Sequence, residues 1–342
     1  MRVFGCYLPY LSGWVVVGDR RRAPPEDDEP EGVIPPLKHR RIRGPRWADR
    51  TWARPAGALR GALDRYRLAT CAPRTAWGFE SRWRTVGGVV THDRSSLATP
   101  TSPLPVVLVH GLAVSHRYLM PLAARLAGRH PVHVVDLPGF GYSGDPGRVL
   151  DVAEHAEHLA AWLDAAGLGS VAVLGNSFGC QVAVDLALRR PDRVRCLILV
   201  GPTIDPAART AARQILRWLR DTTREDPLQL PILLRDVRNA GPHRVAGTLA
   251  HALRDPIEDK LPLVGIPALV TRGGREPIVP MAWAQRAAGL LPLGELAVVP
   301  GSPHNANYSA ATVLAELVVP FLARSTVSPT TGRTTTQVPT KE

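Results

Sequence analysis

From residue 83 onward the chain alternates short β-branched runs with longer segments of helical period. "WRTVGGVVTHDR" (83–94) predicts a hairpin. It is followed by "VVLVH" (106–110), "VHVVD" (132–136), "VAVL" (171–174), "CLILV" (196–200), "ALVTR" (268–272) and "LAVV" (296–299). These runs are almost wholly apolar instead of alternating in polarity, the pattern of strands covered on both faces. Helical patterns over 117–127, 151–166 and 178–190 lie between them. The expected fold class is α/β, a doubly wound and mostly parallel sheet, in which sites form at the carboxyl ends of strands.

One interval breaks the rhythm. Residues 201–265 hold no strand pattern, only helical segments such as "PAARTAARQILRWLRDTT". Ile215, Leu216, Trp218 and Leu219 give that segment an amphipathic period. A helical insertion of this length (202–265) is expected to be a lid over the strand ends; packing on the sheet edge is the alternative. The core then comprises 76–201 and 266–323. Residues 1–75 are Pro- and Arg-rich with no sustained period and too little apolar surface to offset their ordering entropy. Within them, 51–70 could form a short basic helix with Leu59, Leu63 and Tyr66 on one face. The Thr/Ser/Pro-rich 324–342 is expected to be a disordered tail.

Composition narrows the classes. Hydrophobic residues make up 45% and aromatics 6%, which fits a globular chain and neither a disordered nor a membrane one. The formal charge of +12 lies mostly outside the expected body. Residues 1–75 hold 15 basic against 8 acidic residues, 76–323 hold 24 against 21, and the tail 3 against 1. Without an interleaved aromatic and basic face in the body, no nucleic-acid partner is expected. No run of eighteen apolar residues predicts a membrane span. The amino terminus lacks a small-residue cleavage site, so a cytoplasmic location is expected. Cys6, Cys71, Cys180 and Cys196 have no metal-like spacing and are expected to be reduced, packed thiols. Neither a metal nor a cofactor is called for.

Chemistry concentrates in a few loops. "GNSFG" places Ser177 between a strand and a helix, with Gly175 and Gly179 allowing close approach around a strained corner. The hydroxyl would stand exposed, with the Phe178 N–H turned toward a developing oxyanion; the plain alternative is a serine that caps the helix. A serine needs a base to attack at neutral pH. His304, in "VVPGSPHNANYS", follows the last strand at the same sheet end. His243 and His251 fall in the helical insertion, and His155 and His158 are expected on a solvated helix face. Two acids compete to orient His304: Glu276, just past the strand at 268–272, and Asp205, past the strand at 196–200. "VVLVHGLAVS" supplies His110 and Gly111, where the glycine lets the Leu112 N–H face the same oxyanion. His110 is expected to pack beneath that loop, and "DLPGFGYS" (136–143) to shape the site floor.

Taken in order, "HGLAVS", "DLPGFGYSGDP", "GNSFGCQVAVDLALRRPDRVRCLILVGP", "RGGREPIVP" and "GSPHNANY" resemble the α/β-hydrolase superfamily over residues 82–323. The resemblance implies Ser177 as nucleophile, His304 as base and Glu276 as acid, where most members carry Asp. Cys180 stands where many have another glycine. The expected activity is a serine hydrolase that cleaves an ester or related carbonyl compound through an acyl-enzyme. "GNSFG" and the early "HG" are also similar to hydrolases that cut carbon–carbon bonds of ring-fission products. A third reading, from another class, is a hydrolase-like binding protein without turnover. Members with an aspartate nucleophile, such as epoxide hydrolases, are disfavoured by Ser177. Trp218 in the expected lid suggests a small-molecule substrate that is apolar, acyl or aromatic. The sequence gives no indication of oligomeric state.

Overall fold

The all-apolar runs become strands because they can be covered from both sides. In the computed structural model, which describes residues 75–76 and 78–326, nine strands form one sheet in the order β1-β2-β3-β5-β4-β6-β7-β8-β9. They are β1 (Thr75–Ala76), β2 (Phe79–Val86), β3 (Val89–Ser96), β4 (Val106–Val109), β5 (Val132–Val135), β6 (Val171–Asn176), β7 (Val194–Val200), β8 (Ala268–Gly273) and β9 (Gly294–Val299). β1 to β3 are antiparallel and join β5 antiparallel; β5, β4, β6, β7, β8 and β9 run parallel. The predicted hairpin is the β2–β3 pair, turned at Gly87 and Gly88, both with positive φ.

Alternate residues of each central strand feed two separate cores. Val107, Val109, Val173, Leu197, Leu199 and Val270 point to one face. There they meet α2 (Val152–Ala165), α3 (Phe178–Arg189) and α8 (Met281–Leu290). Val106, Leu108, Leu174, Ile198 and Leu269 point to the other, against α1 (His116–Leu126) and α10 (Ala311–Thr326). The period of two along a strand is what lets one apolar run serve both cores. α2 starts on a capping box: Asp151 Oδ1 accepts the Glu154 N–H, and Glu154 Oε2 accepts the Asp151 N–H, both at 2.9 Å.

Between β7 and β8 lie α4 (Ala211–Thr222), α5 (Leu230–Ala240), α6 (Pro242–Arg254), the single turn α7 (Ile257–Lys260) and short 3-10 turns, with no strand. After β9 a single turn, α9 (Ala306–Ser309), precedes α10. Two expectations change. α10 reaches Thr326, three residues into the expected tail. His155 is buried on α2 between Phe140 and Phe178, where burial pushes its imidazole down to about 3. The apolar face of α2 is wide enough to include position 155. Its neighbour His158 is partly buried, with Nε2 2.7 Å from the Thr91 hydroxyl. Cys180 and Cys196 are buried free thiols. The extension up to residue 74, Cys6, Cys71, the 51–70 segment and residues 327–342 lie outside the described residues.

Candidate active site

Ser177 ends the central strand β6 and begins α3 at φ 54°, ψ −120°, a conformation that L-residues rarely adopt. Its side chain makes no capping bond to the helix, which removes the plain reading of a serine N-cap. The strain is held by packing that only glycine permits. A Cβ on Gly175 would lie 2.3 Å from the Gly179 carbonyl oxygen, and one on Gly179 would lie 2.4 Å from that of Val109. The Ser177 N–H donates to the Val200 carbonyl at 2.9 Å, fixing the corner to the end of β7.

The residue just past β7, Gly201, carries the corner to the histidine. A Cβ on Gly201 would lie 2.8 Å from His304 Cε1 and 3.1 Å from Glu276 Oε1. Ser177 and His304 therefore flank the same strand end. His304 Nδ1 forms a very short hydrogen bond with Glu276 Oε1. The second oxygen, Oε2, accepts the Gly273 N–H at 3.0 Å. Arg272 braces the loop by donating to the Glu276 carbonyl at 2.7 Å and the Val279 carbonyl at 2.9 Å. Asp205, the competing acid, is turned elsewhere: it accepts the Ala207 N–H at 3.0 Å and pairs with Arg217 at 2.8 Å.

Further acids stand behind the imidazole. Asp221 Oδ1, on α4, accepts the His304 backbone N–H at 3.2 Å, and Glu225 Oε1 accepts the Asn305 N–H at 2.7 Å. Burial alone would disfavour the imidazolium, but Glu276, followed by Asp221 and Glu225, outweighs it and raises His304 to about 9. Burial and the adjacent Asp221 hold the Glu225 carboxyl above the ordinary range.

The loop after β4 is tied to the corner through Tyr118. Its hydroxyl accepts the Gly111 N–H at 2.7 Å and donates to Asn176 Oδ1, while Asn176 Nδ2 donates to the Val200 carbonyl at 3.1 Å. This chain places Gly111 beside the serine, since a Cβ on Gly111 would come within 3.1 Å of Ser177 Cβ. Ala113 carries the turn at φ 63°. Phe178 heads α3, where the first N–H groups of a helix have no partner within it. His110 is buried beneath the loop: Nε2 accepts the Leu137 N–H at 3.0 Å and Nδ1 donates to the Gly111 carbonyl at 2.8 Å.

Three groups went unnoticed in the sequence. Asp221 and Glu225 lie some eighty residues before the loop they hold, with no local signal. Tyr118 looks like any helix aromatic. The floor loop 136–143 is organised by Asp136, which gathers His92 Nδ1 at 2.7 Å, His116 Nδ1 at 2.8 Å, and the N–H groups of His116 at 2.7 Å and Tyr142 at 3.0 Å. The ligating atoms of His92, His116 and Asp136 lie close enough to suggest a metal. Here, however, both imidazoles face the carboxylate directly at hydrogen-bond distance. They hold Asp136 well below the usual carboxylate range against the cost of burial, and burial pushes His116 down to about 4.

Comparison with known proteins agrees with the fold. Residues 105–232 match the family model described as alpha/beta hydrolase fold. The chain is 28% identical over 255 residues to a pimeloyl-[acyl-carrier protein] methyl ester esterase of Neisseria meningitidis, spanning 67% of this chain and 97% of that one. It is 39% identical over 104 residues to a 2-hydroxy-6-oxo-2,4-heptadienoate hydrolase of Pseudomonas putida, spanning 28% of this chain and 37% of the other. A solved structure of a thermophilic esterase from Thermogutta terrifontis superposes with a TM-score of 0.62 at 22% identity, covering 72% of this chain and 100% of that one. The chain has the α/β-hydrolase fold, with the family match over residues 105–232.

Proposed function

We propose that the protein is a serine hydrolase acting on a carboxylic ester or related carbonyl substrate, with Ser177 as nucleophile, His304 as general base and Glu276 as the orienting acid. The observation that carries this reading is the strained, uncapped Ser177 set against the same strand end as the His304–Glu276 pair. Glu276 on Nδ1 leaves Nε2 to take the Ser177 proton as Oγ attacks the carbonyl carbon. The N–H groups of Leu112 and Phe178 receive the oxyanion. Collapse expels the alcohol, which takes the proton from His304, and leaves the acyl-enzyme. Water, deprotonated by His304, attacks the ester carbon and releases the acid. No metal or cofactor enters these steps.

The test is labelling with a fluorophosphonate and turnover of p-nitrophenyl esters. Wild type should label and turn over, and Ser177→Ala should do neither. A well-folded wild type that does not label would support the binding-protein reading instead. The match to a dienoate hydrolase keeps carbon–carbon cleavage as a second reading. A panel of acyl esters and ring-fission dienoates separates the two by which class turns over faster.

A further inference from the structure

α4 is amphipathic, but it faces the wrong way for a core helix. Its buried residues are Gln214 and Asp221, with Arg217 half-buried between them. Ile215, Leu216, Trp218 and Leu219 keep 47%, 48%, 44% and 52% of their surface exposed. At 3.6 residues per turn, Trp218, Ile215, Leu219 and Leu216 follow one another within an arc of about 160°, with the exposed Arg220 and Arg213 beyond Leu216 and the buried Gln214 and Asp221 beyond Trp218. α5 adds Leu230 and Leu234 at 49% and 61% exposed. An outward stripe of Trp, Ile and Leu costs hydration free energy unless something covers it.

The charges around the stripe indicate what covers it. Between residues 210 and 240 the exposed ionic side chains are Arg213, Arg220, Arg224, Arg235 and Arg238, with no exposed carboxylate among them. Arg213, Arg224 and Arg235 bond to two backbone carbonyls and a tyrosine hydroxyl. The acids of this segment are turned inward or half-buried, with Asp221 on the His304 loop and Asp236 on Ser115 and Arg117. A second copy would bring arginine rim against arginine rim. The amino-terminal extension is itself basic, with 15 basic against 8 acidic residues up to position 75. Both are disfavoured by like charge. An apolar stripe whose exposed charged neighbours are all arginine has the composition of a helix that lies in the plane of an anionic lipid surface.

We propose that the outer face of α4 docks the protein onto an anionic lipid surface. The docking stands on this face alone. The substrate class it adds, an amphiphilic acyl ester taken up from that surface, rests on the serine-hydrolase reading. The inner face of α4 holds the His304 loop, so docking sets the candidate site at the lipid boundary.

The test is co-sedimentation of the full chain with vesicles of equal phosphatidylglycerol and phosphatidylcholine, and with phosphatidylcholine alone, at low and high salt. The wild type should bind the anionic vesicles, release from them as salt rises, and ignore the neutral ones. Trp218→Glu with Leu219→Glu should lower the partition at least tenfold while turnover of soluble p-nitrophenyl acetate stays within about twofold. Arg213→Gln with Arg220→Gln should lower it roughly tenfold at low salt. No binding by wild type overturns the proposal. So does equal binding by the Trp218/Leu219 variant, which would assign binding to basic residues elsewhere. A wild-type dimer in sedimentation velocity that this variant dissociates, without vesicle binding, also overturns it and assigns the face to a second copy. If the variant loses vesicle binding while no protein turns over any ester, docking stands and the hydrolase reading falls.

Discussion

Replacing Glu276 with Gln keeps the side chain's shape and removes its charge from His304 Nδ1. His304 sits at about 9 instead of the ordinary 6.5, even though burial pulls the other way. At about 1.4 kcal/mol per tenfold in acidity, its surroundings favour the imidazolium by roughly 3 kcal/mol. Glu276 is the largest favourable contributor, ahead of Asp221 and Glu225. In the proposed reaction the attack on the ester creates that imidazolium, so losing most of this support should slow the step by about a hundredfold. An amide can also present its NH2 to the ring and select the wrong tautomer, which extends the loss toward about 10⁴. Asp205→Asn instead loses the Arg217 pair and keeps an oxygen for the Ala207 N–H. It should cost about 1 kcal/mol of stability and leave the rate within a few-fold. The assay is kcat/KM for p-nitrophenyl acetate at pH 8, with circular dichroism to show that both variants fold. A collapse in Asp205→Asn with Glu276→Gln near wild type would refute the assignment of the acid.

The same imidazole predicts a pH profile: the base works only unprotonated, so kcat/KM should rise through a midpoint near pH 9 and level off about a unit above it, and a midpoint near 6.5 would contradict the charge environment of His304. Its raised value also contributes stability that is complete below about 6.5 and lost as pH rises through about 9. Gly179→Ala forces a Cβ to 2.4 Å from the Val109 carbonyl, an overpacking worth about 1–3 kcal/mol. Calorimetry should show a melting temperature lowered by several degrees, at roughly 2–4 °C per kcal/mol; an unchanged one would mean that the corner is looser than described. For Glu225, the folded state holds a proton that the unfolded chain releases at ordinary carboxylate pH. Stability therefore falls as pH rises from about 4.5 toward the raised folded value. Glu225→Gln should flatten that fall in urea titrations between pH 5 and 8, and parallel curves would count against the shift.

The sheet was legible because apolar runs five residues long, in a chain of this regularity, have few other uses. Ser177, Gly175 and Gly179 were legible for a local reason: the glycines are required within two residues of the serine they serve. His304 and Glu276 could be placed because each sits just past a recognisable strand. The choice between Glu276 and Asp205 could not be made there, since both strands end on the same face. In the structure Asp205 is drawn to Arg217 twelve residues on, while Glu276 bonds to His304 Nδ1. Asp136, His92 and His116 come from three separate elements, so nothing in linear order joins them. Trp218, in the expected lid, was read as a hint of an apolar substrate. The period of α4 showed that a face was apolar but not which way it pointed, because Arg217 and Asp221 of the polar face found partners in Asp205, the Ile278 carbonyl and the His304 N–H.

That inversion has an energetic consequence for α4. Its hold on the body comes from hydrogen bonds and ion pairs: Arg217 to Asp205 and the Ile278 carbonyl, Asp221 to the His304 N–H, Arg224 to the Arg275 carbonyl, and Glu225, just after it, to the Asn305 N–H. Each is worth only about 1 kcal/mol net, because water offers the same groups new partners when they part. The outer face offers four large apolar side chains, each about half exposed. Covering the remainder of each yields on the order of 1 kcal/mol. The two sides are of similar size and lie on opposite faces, so an apolar surface can hold the helix from outside about as strongly as the body holds it from within. The helix cannot shift without loosening the hydrogen bond from the His304 backbone to Asp221. Whatever covers α4 therefore acts directly on the loop that carries the candidate base.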